Sequence, residues 1–189
     1  MIVKHPLRPI LLSALAITAL LFWSGCNKYS TAPIIQPPPN NNPNILSLSN
    51  ASGAPGDTGI IVDVNLHNVE PIAGAQLRIT YNVNVLQPSD TPYLKPTRAD
   101  QMDFYAGNFN TPGVVTFATS WFTQKGVIAI GDGAILQLIF DVKPGASVGT
   151  SSLRFESDAT LPTEDNALSD TTGTKLIVPQ VQNGTFTVP

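Results

Sequence analysis

Few residues of this chain could support catalysis, and they lie far apart in the sequence. The 189 residues include two histidines, His5 and His67, and one cysteine, Cys26. A catalytic triad needs a histidine between a nucleophilic serine and an orienting acid, and the stretch Asn65-Leu66-His67-Asn68 has no nucleophile elbow. Two carboxylates could hydrolyse a glycosidic bond, but the acidic residues form no recognisable catalytic motif. The sequence therefore predicts a protein that is not an enzyme.

A second group of side chains could bind a cation. The segment from Ser157 to Asp170 is rich in carboxylates and amides: Asp158, Glu164, Asp165, Asn166 and Asp170. Carboxylate and carbonyl oxygens are the ligands that calcium prefers. Their spacing matches no calcium motif, and a solvated acidic loop is the favoured interpretation. We therefore expect no metal and no other cofactor on this chain.

The single cysteine follows a segment that is typical of an export signal. Lys4 and Arg8 precede a largely apolar, uncharged run from Ile10 to Trp23, which is short for a membrane-spanning helix. The sequence Trp23-Ser24-Gly25-Cys26 resembles the lipobox of bacterial lipoproteins, although Trp23 stands where Leu is usual. The resemblance implies that residues 1–25 are a lipoprotein signal peptide and that Cys26 is lipidated. An ordinary secretory peptide that leaves a free thiol is the alternative.

Residues 26–43 are predicted to be a tether. The segment from Pro33 to Pro43 contains five prolines and several asparagines, and it has no hydrophobic periodicity. Proline fixes φ and removes a hydrogen-bond donor, so this composition favours extended polyproline II and coil. Asn27 stands where lipoproteins that stay at the inner membrane usually have Asp. We therefore expect an exported chain, lipid-anchored at the cell surface, in the outer membrane if the cell has two membranes.

From residue 44 onward the dominant hydrophobic period is two, which is typical of β-strands. Apolar and polar residues alternate in four segments: Ile60–Asn68, Ala73–Asn82, Val114–Trp121 and Ala134–Val142. Shorter strands are predicted at four more: Ile45–Ser49, Ser151–Phe155, Lys175–Val178 and Thr185–Val188. Turn signals such as Pro112-Gly113 and Asn183-Gly184 separate them. Residues 44–189 are thus predicted to form one all-β domain, a two-sheet jelly-roll sandwich of about nine strands.

The composition excludes several classes of protein. Charged residues make up 12% of the chain and its formal net charge is −3, which argues against a nucleic-acid-binding protein. One cysteine cannot form an internal disulfide or a cysteine-based zinc site. Hydrophobic residues make up 42%, which is enough for a substantial core.

The order of the strand segments resembles a known family. The sequence Gly53-Ala54-Pro55-Gly56-Asp57-Thr58 precedes a strand, and Thr80-Tyr81-Asn82 begins a turn further on. Later come Gly131-Asp132-Gly133, then Phe140-Asp141-Val142, and finally Asn183-Gly184-Thr185-Phe186. Taken in this order, residues 45–188 resemble a cohesin domain, the receptor module of cellulosome scaffolds. The resemblance implies a jelly-roll sandwich that binds a calcium-loaded dockerin module on another protein.

The resemblance also indicates where a partner would dock. In type I cohesins a flat sheet face uses an Asn and an Asp on the strand that matches Ala73–Asn82. Those positions are Gly74 and Gln76 here, so the amide and the carboxylate are absent. The resemblance therefore implies a docking face but not the specificity of a standard type I pair. The expected face consists of Gly74, Gln76, Arg78, Thr80, Thr116, Ala118 and Ser120; a solvated sheet face is the alternative.

Two other functions remain open at this stage. The chain has no Asp-x-Asn-x-Asp-Gly loop, so calcium is expected on the dockerin partner and the chain itself is expected to be a monomeric receptor. A carbohydrate-binding module would need exposed aromatic rings, and Trp121 falls on the row expected to face the core. Tyr93, Phe104, Tyr105 and Phe109 could form a partial platform, although packing is the favoured interpretation. A structural or adhesion domain is the third possibility.

Overall fold

A computed structural model describes residues 41–121, 126–156 and 166–189. These ranges contain thirteen strands, nine of which have four residues or more, and one short 3-10 helix, η1 (Thr97–Ala99). The strands are β1 (Ile45–Leu48), β2 (Ala51–Ser52), β3 (Ile60–His67), β4 (Gly74–Thr80), β5 (Leu86–Leu94), β6 (Phe104–Asn108), β7 (Val114–Ser120), β8 (Ala134–Val142), β9 (Gly149–Phe155), β10 (Ala167–Ser169), β11 (Leu176–Ile177), β12 (Gln180–Gln182) and β13 (Gly184–Val188).

The strands form two sheets. The first sheet has the order β12-β1-β3-β8-β5. In the second sheet β4 is central, with β7 and then β6 along one side. The other side of β4 pairs with β10 near its start and with β9 near its end, and β13 and β2 follow beyond β9. Strand pairs are antiparallel except β1–β12 and β13–β2, which are parallel.

The core lies between the sheets and is made by the alternation of side chains. One row of each long strand is buried: Val62, Val64 and Leu66 from β3, Leu77 and Ile79 from β4, Val115 and Phe117 from β7, Leu138 and Phe140 from β8, and Phe186 and Val188 from β13. Burial of one large aliphatic or aromatic side chain stabilises the fold by about 1.5–3 kcal/mol. The sandwich is therefore held mainly by these facing apolar rows.

The structure confirms the predicted all-β jelly-roll sandwich. Each predicted strand segment contains a strand or overlaps one by at least two residues. The predicted segments include neither β5 nor β6. Pro88 and Pro92 interrupt β5, and the register of the β5–β8 pair shifts between Pro88 and Tyr93. Four strands of two or three residues, which lack a readable alternation, raise the count above the predicted nine.

The described domain begins at a fixed point. Asn44 is fully buried, and its side-chain Oδ1 accepts a hydrogen bond of 3.0 Å from the backbone N–H of Val69. Its backbone carbonyl accepts the N–H of Gln180 at 2.9 Å. Buried polar groups in folded proteins are usually hydrogen-bonded. These two bonds hold the residue before β1 to Val69 and to Gln180 on β12.

Several predictions fall on residues outside the described ranges. These are the signal peptide (residues 1–25), the lipidated Cys26, the tether as far as residue 40, and the carboxylates Asp158, Glu164 and Asp165 of the acidic loop. Across the described part of the chain, no helix has the length and apolarity needed to cross a membrane.

Candidate docking face

The strand register brings the predicted partner-binding residues together. The antiparallel pair β4–β7 places Gly74 opposite Ser120, Gln76 opposite Ala118, and Arg78 opposite Thr116, while Thr80 lies opposite Val114. All seven predicted residues therefore lie on the outer face of the second sheet, in two adjoining rows. Successive side chains of a strand point to opposite faces, so the buried Leu77 and Ile79 hold this orientation by packing into the core.

The seven residues differ in how much of each side chain is available. Gln76 is exposed, and the other five side chains are half-buried. Gly74 is the exception, because the structure buries it. A Cβ atom at Gly74 would lie 2.8 Å from Ser169 Oγ and 3.1 Å from the Thr119 carbonyl. Gly74 therefore lies at the bottom of the face between close neighbours, and its role in docking stays a prediction.

Ser169, one of the neighbours of Gly74, belongs to a hairpin whose place on this face was not predicted. Strands β10 and β11 pair with each other, and β10 pairs with the first residues of β4. Asn166, which precedes β10, adds hydrogen bonds between this hairpin and its neighbours through its side chain. Its Oδ1 accepts the backbone N–H of Arg78 at 2.9 Å, and its Nδ2 donates to the Glu156 carbonyl at 3.1 Å. The hairpin thus widens the outer face and adds Ala167, Ser169 and Leu176 to it.

Asn166 and Asp170 were considered as possible calcium ligands, and the structure gives both of them other partners. Asn166 is buried and bonded to backbone groups. The carboxylate of Asp170 accepts the hydroxyl of Thr172 at 2.7 Å and the backbone N–H of Lys175 at 3.2 Å. The hydrogen bond from Thr172, followed by those from the backbone, lowers the pKa of Asp170. Within the described ranges, no group of three or more His, Cys, Asp or Glu side chains could hold a metal ion.

Two adjoining depressions cross the outer face. The first has a volume of about 480 Å³ and lies between Phe104 on β6 and Leu176 on β11, above Gly74, Ala118 and Ser120. The second has a volume of about 330 Å³ and is lined by β6, β7 and β4 from Ala106 to Asn108 and at Thr116. Gln76 and Ala118 line both. The outer face therefore offers a continuous concave surface of small and apolar side chains.

The aromatic residues between Pro88 and Pro112 form a packed cluster. Tyr93 stacks on Phe109 with ring centroids 5.8 Å apart, and Tyr105 meets Phe117 edge to face at 4.6 Å. Tyr93, Tyr105 and Phe109 are half-buried and pack against the core, and Phe117 is fully buried. Phe104 differs from them, because it is 36% exposed. Trp121 lies one residue beyond β7 and is half-buried, so the prediction that it faces the core holds only in part. This arrangement gives no flat aromatic strip across the described residues.

Tyr105 ties this cluster to the backbone and should make the fold sensitive to alkali. Its hydroxyl donates to the Ile135 carbonyl at 2.7 Å and lies 3.2 Å from the Leu94 carbonyl. Burial, with a further contribution from Tyr93, raises the pKa of Tyr105 far above its usual value. A phenol whose pKa is raised in the folded state stabilises the fold below the unfolded pKa of ~10 and loses that contribution as pH rises further.

We therefore expect Tyr105→Phe to lower the free energy of unfolding by about 1 kcal/mol at pH 7, because a buried hydrogen bond is lost. The difference between the variant and the parent should shrink above pH ~10. Urea unfolding at pH 7 and at higher pH measures both effects. A difference that does not change with pH would contradict the role given to the phenol.

His67 on β3 and Asp132 in the loop before β8 form an ion pair away from the outer face of the second sheet. Nδ1 of His67 is 2.6 Å from Oδ1 of Asp132, and the side chains are 44% and 76% exposed. Ser47, His67 and Asp132 line one shallow depression. Ser47 pairs with Asn65 on β3, so it lies diagonal to His67, roughly 7–8 Å away. Among the described residues no hydrogen bond joins Ser47 to His67, and the three side chains do not form a triad.

The comparisons with known proteins agree with this geometry. The family model of the cohesin domain matches residues 46–178. CaCohA2 from Clostridium acetobutylicum, in its complex with CaDoc0917, is 26% identical, with a TM-score of 0.65 over 77% of this chain and 99% of that one. Coh-OlpA, from a type I cohesin–dockerin complex of Clostridium thermocellum, is 20% identical, with a TM-score of 0.66 over 78% of this chain and all of that one.

A non-cellulosomal cohesin from the archaeon Archaeoglobus fulgidus is 18% identical, with a TM-score of 0.61 over 77% of this chain and 91% of that one. A search of curated protein sequences finds no match. The sandwich is that of a cohesin domain, and cohesin domains are non-catalytic binding modules. Because the family model covers more than half of the residues, the chain belongs to the cohesin domain family.

Proposed function

We propose that this protein is a receptor that docks a dockerin-bearing partner on the outer face of the second sheet. The observation that carries the proposal is the concave surface over β6, β7 and β4, in a chain that belongs to the cohesin family. Two of the similar structures are complexes of cohesins with their partners. A sheet face whose side chains are held by a packed core is preorganised, which lowers the entropic cost of binding.

The proposal includes a place for the receptor in the cell. Lipidated Cys26 anchors the chain at the surface, in the outer membrane where two membranes are present, and residues 27–43 hold the monomeric domain away from the lipid. Acyl chains contribute about 0.8 kcal/mol per buried methylene, so several chains on one cysteine anchor a protein stably. A captured partner that degrades or binds polysaccharide would then act next to the cell.

Removal of the lipidated thiol should release the protein from the membrane. We expect Cys26→Ser to abolish labelling by a radioactive or alkyne-tagged fatty acid and to shift most of the chain into the soluble fraction, because its acyl chains are absent. Asn27→Gln is the control and should remain labelled and membrane-bound. Membrane association of Cys26→Ser at the level of the parent would show that the anchor lies elsewhere.

The docking function is tested with the full chain in detergent, immobilised and presented with calcium-loaded dockerin domains. The panel should include the dockerins of the complexes named above and those encoded in the genome of the source organism. We expect at least one dockerin to bind with a Kd of about 1 µM or tighter and to dissociate when a chelator removes calcium. Binding to no dockerin, with retention on insoluble cellulose or another glycan, would replace the proposal with a carbohydrate-binding module.

A further inference from the structure

The two depressions define the direction in which a partner can lie. The first is at the end of the face formed by Phe104 and Ser120, and the second is at the end formed by Asn108 and Thr116. Strands β6 and β7 pair in register, with Phe104 opposite Ser120 and Asn108 opposite Thr116. The long axis of the concave surface therefore runs along β7. A rod-shaped element such as a helix can contact both depressions when it lies in that direction.

The first depression favours an uncharged, apolar side chain. Its walls are Phe104, which is 36% exposed, and Leu176, which is 54% exposed. The residues that the structure places around it are apolar or neutral polar, and none is charged. An apolar group inserted between these two walls would be stabilised, because its own surface and that of the walls would be removed from water.

The other end of the face carries two arginines. Arg78 pairs with Thr116, which lines the second depression, and Arg154 pairs with Thr80. Glu156 lies beside Arg78, since its backbone N–H donates to the Arg78 carbonyl at 3.0 Å. Among the described residues, neither guanidinium forms an ion pair with a carboxylate. Of the charged side chains that the structure describes at this end, two are cations and one is a carboxylate, in a chain whose formal net charge is −3.

We propose that the partner presents an amphipathic helix along β7, with an apolar side chain in the first depression and a carboxylate against Arg78 and Arg154. This inference rests on the proposed docking function and specifies its partner. Three to five strand residues separate the middle of the first depression from the two arginines, or about 10–17 Å at ~3.3 Å per residue. At ~1.5 Å per helical residue, the carboxylate lies roughly seven to eleven positions from the apolar residue.

The composition of β4 supports this assignment. The strand contains no carboxylate, and its outward residues include the uncharged Gln76 and the cationic Arg78. A basic side chain of a partner therefore finds no carboxylate on β4, whereas an acidic one finds Arg78 on the same strand. Charge complementarity of this kind selects between partners more than it adds affinity.

A display experiment tests the inference. The dockerin of the Coh-OlpA complex serves as the scaffold, with the exposed positions of its helices randomised, and the full chain in detergent with calcium serves as the selecting target. We expect the enriched sequences to combine an aliphatic or aromatic residue with Asp or Glu seven to eleven positions away. Enrichment of Lys or Arg at that spacing would overturn the inference.

Charge variants then test the contact itself. Arg78→Glu should weaken the binding of the selected dockerins by about tenfold or more. Changing the acidic residue of these dockerins to Lys should restore their binding to the Arg78→Glu variant. Lys143→Glu, just beyond β8, makes the same change in charge away from the face and should have no effect. Leu176→Glu should also weaken binding, whereas Ile61→Glu, on the outer face of the first sheet, should not.

Failure of the inference and failure of the docking function give different results. Binders that lose affinity for Leu176→Glu but bind Arg78→Glu as well as the parent would remove the acidic contact and leave the docking face intact. Selection of no calcium-dependent binder, or of binders that tolerate both Leu176→Glu and Arg78→Glu, would remove the proposed function itself.

Discussion

The Ala118→Glu variant is expected to bind a dockerin about a hundredfold more weakly than the parent chain, or to lose binding altogether. Ala118 lies where the two depressions of the outer face meet, and it lines both of them. A glutamate there would fill the concave surface with a longer side chain. In the complex it would also be buried among apolar and neutral groups, and an unpaired buried charge costs about 3–5 kcal/mol.

The free protein should tolerate this change. Ala118 points away from the core, opposite Gln76 on β4, so the new carboxylate reaches water when no partner is bound. Substitutions at such surface positions usually alter the free energy of unfolding by less than about 0.5 kcal/mol. Loss of binding in a variant that unfolds like the parent would therefore report on the interface and not on the fold.

The measurement is the Kd of a dockerin from the panel for the parent, for Ala118→Glu and for a control. Ile61→Glu is the control because Ile61 is 46% exposed on the outer face of the first sheet. Ile61→Glu introduces the same negative charge at an exposed strand position away from the outer face of the second sheet. Equal affinities for all three proteins would show that dockerins do not use the outer face of the second sheet.

Much of the fold is readable from the sequence because a strand with one buried face must alternate. The burial pattern alternates over seven residues in β3, β7 and β8 and over the six from Ala75 to Thr80 in β4, and in each the predicted apolar row faces the core. The same parity placed Gln76, Arg78, Thr116 and Ala118 on an outer face. Their adjacency followed from the resemblance to cohesins, since alternation within one strand does not specify which strand lies beside it.

Other parts of the face could not be predicted because they depend on contacts between distant segments. Strand β10 has three residues, too few for a period to show, and β11 lies in a predicted strand segment whose pairing with β10 was not predicted. Their pairing with β4 buries Gly74 against Ser169 and supplies Leu176 as a wall. Nothing in the residues around Leu176 indicates that it faces Phe104 across a depression, since this depends on the path of the chain through the sandwich.

Arg98 is another residue whose role is hidden in the sequence, because most of its partners are backbone carbonyls. It lies in η1, and its guanidinium donates to the carbonyls of Leu66, Ala129, Gly131 and Gly133 and to the side chain of Asn68. Burial lowers the pKa of Arg98 from its usual value, and the nearby Asp132 opposes that shift. One planar group thus joins the end of β3 to the loop that leads into β8.

We expect Arg98→Ala to lower the free energy of unfolding by about 3 kcal/mol, because several partly buried acceptors lose a charged donor together. The melting temperature should fall by roughly 10 °C in a domain of this size. Arg98→Lys should recover only part of the loss, since an ammonium group cannot reproduce the fork of five donors. Arg154→Ala, at an exposed position on β9, is the control and should change stability by less than about 0.5 kcal/mol.

Thermal and urea unfolding should be measured for the parent, Arg98→Ala, Arg98→Lys and Arg154→Ala. The comparison distinguishes a hydrogen-bonding role of Arg98 from that of a charge on the surface. A network that orders the loop before β8 should also slow amide exchange at Asn68 and Gly131, whose backbone N–H groups bond to each other's carbonyls, because these bonds open when the loop is released. Arg98→Ala should therefore lower the free energy of the local opening that exposes these two amides by more than it lowers the free energy of global unfolding. Equal stability of Arg98→Ala and Arg154→Ala would show that water satisfies the carbonyls as well as the guanidinium does.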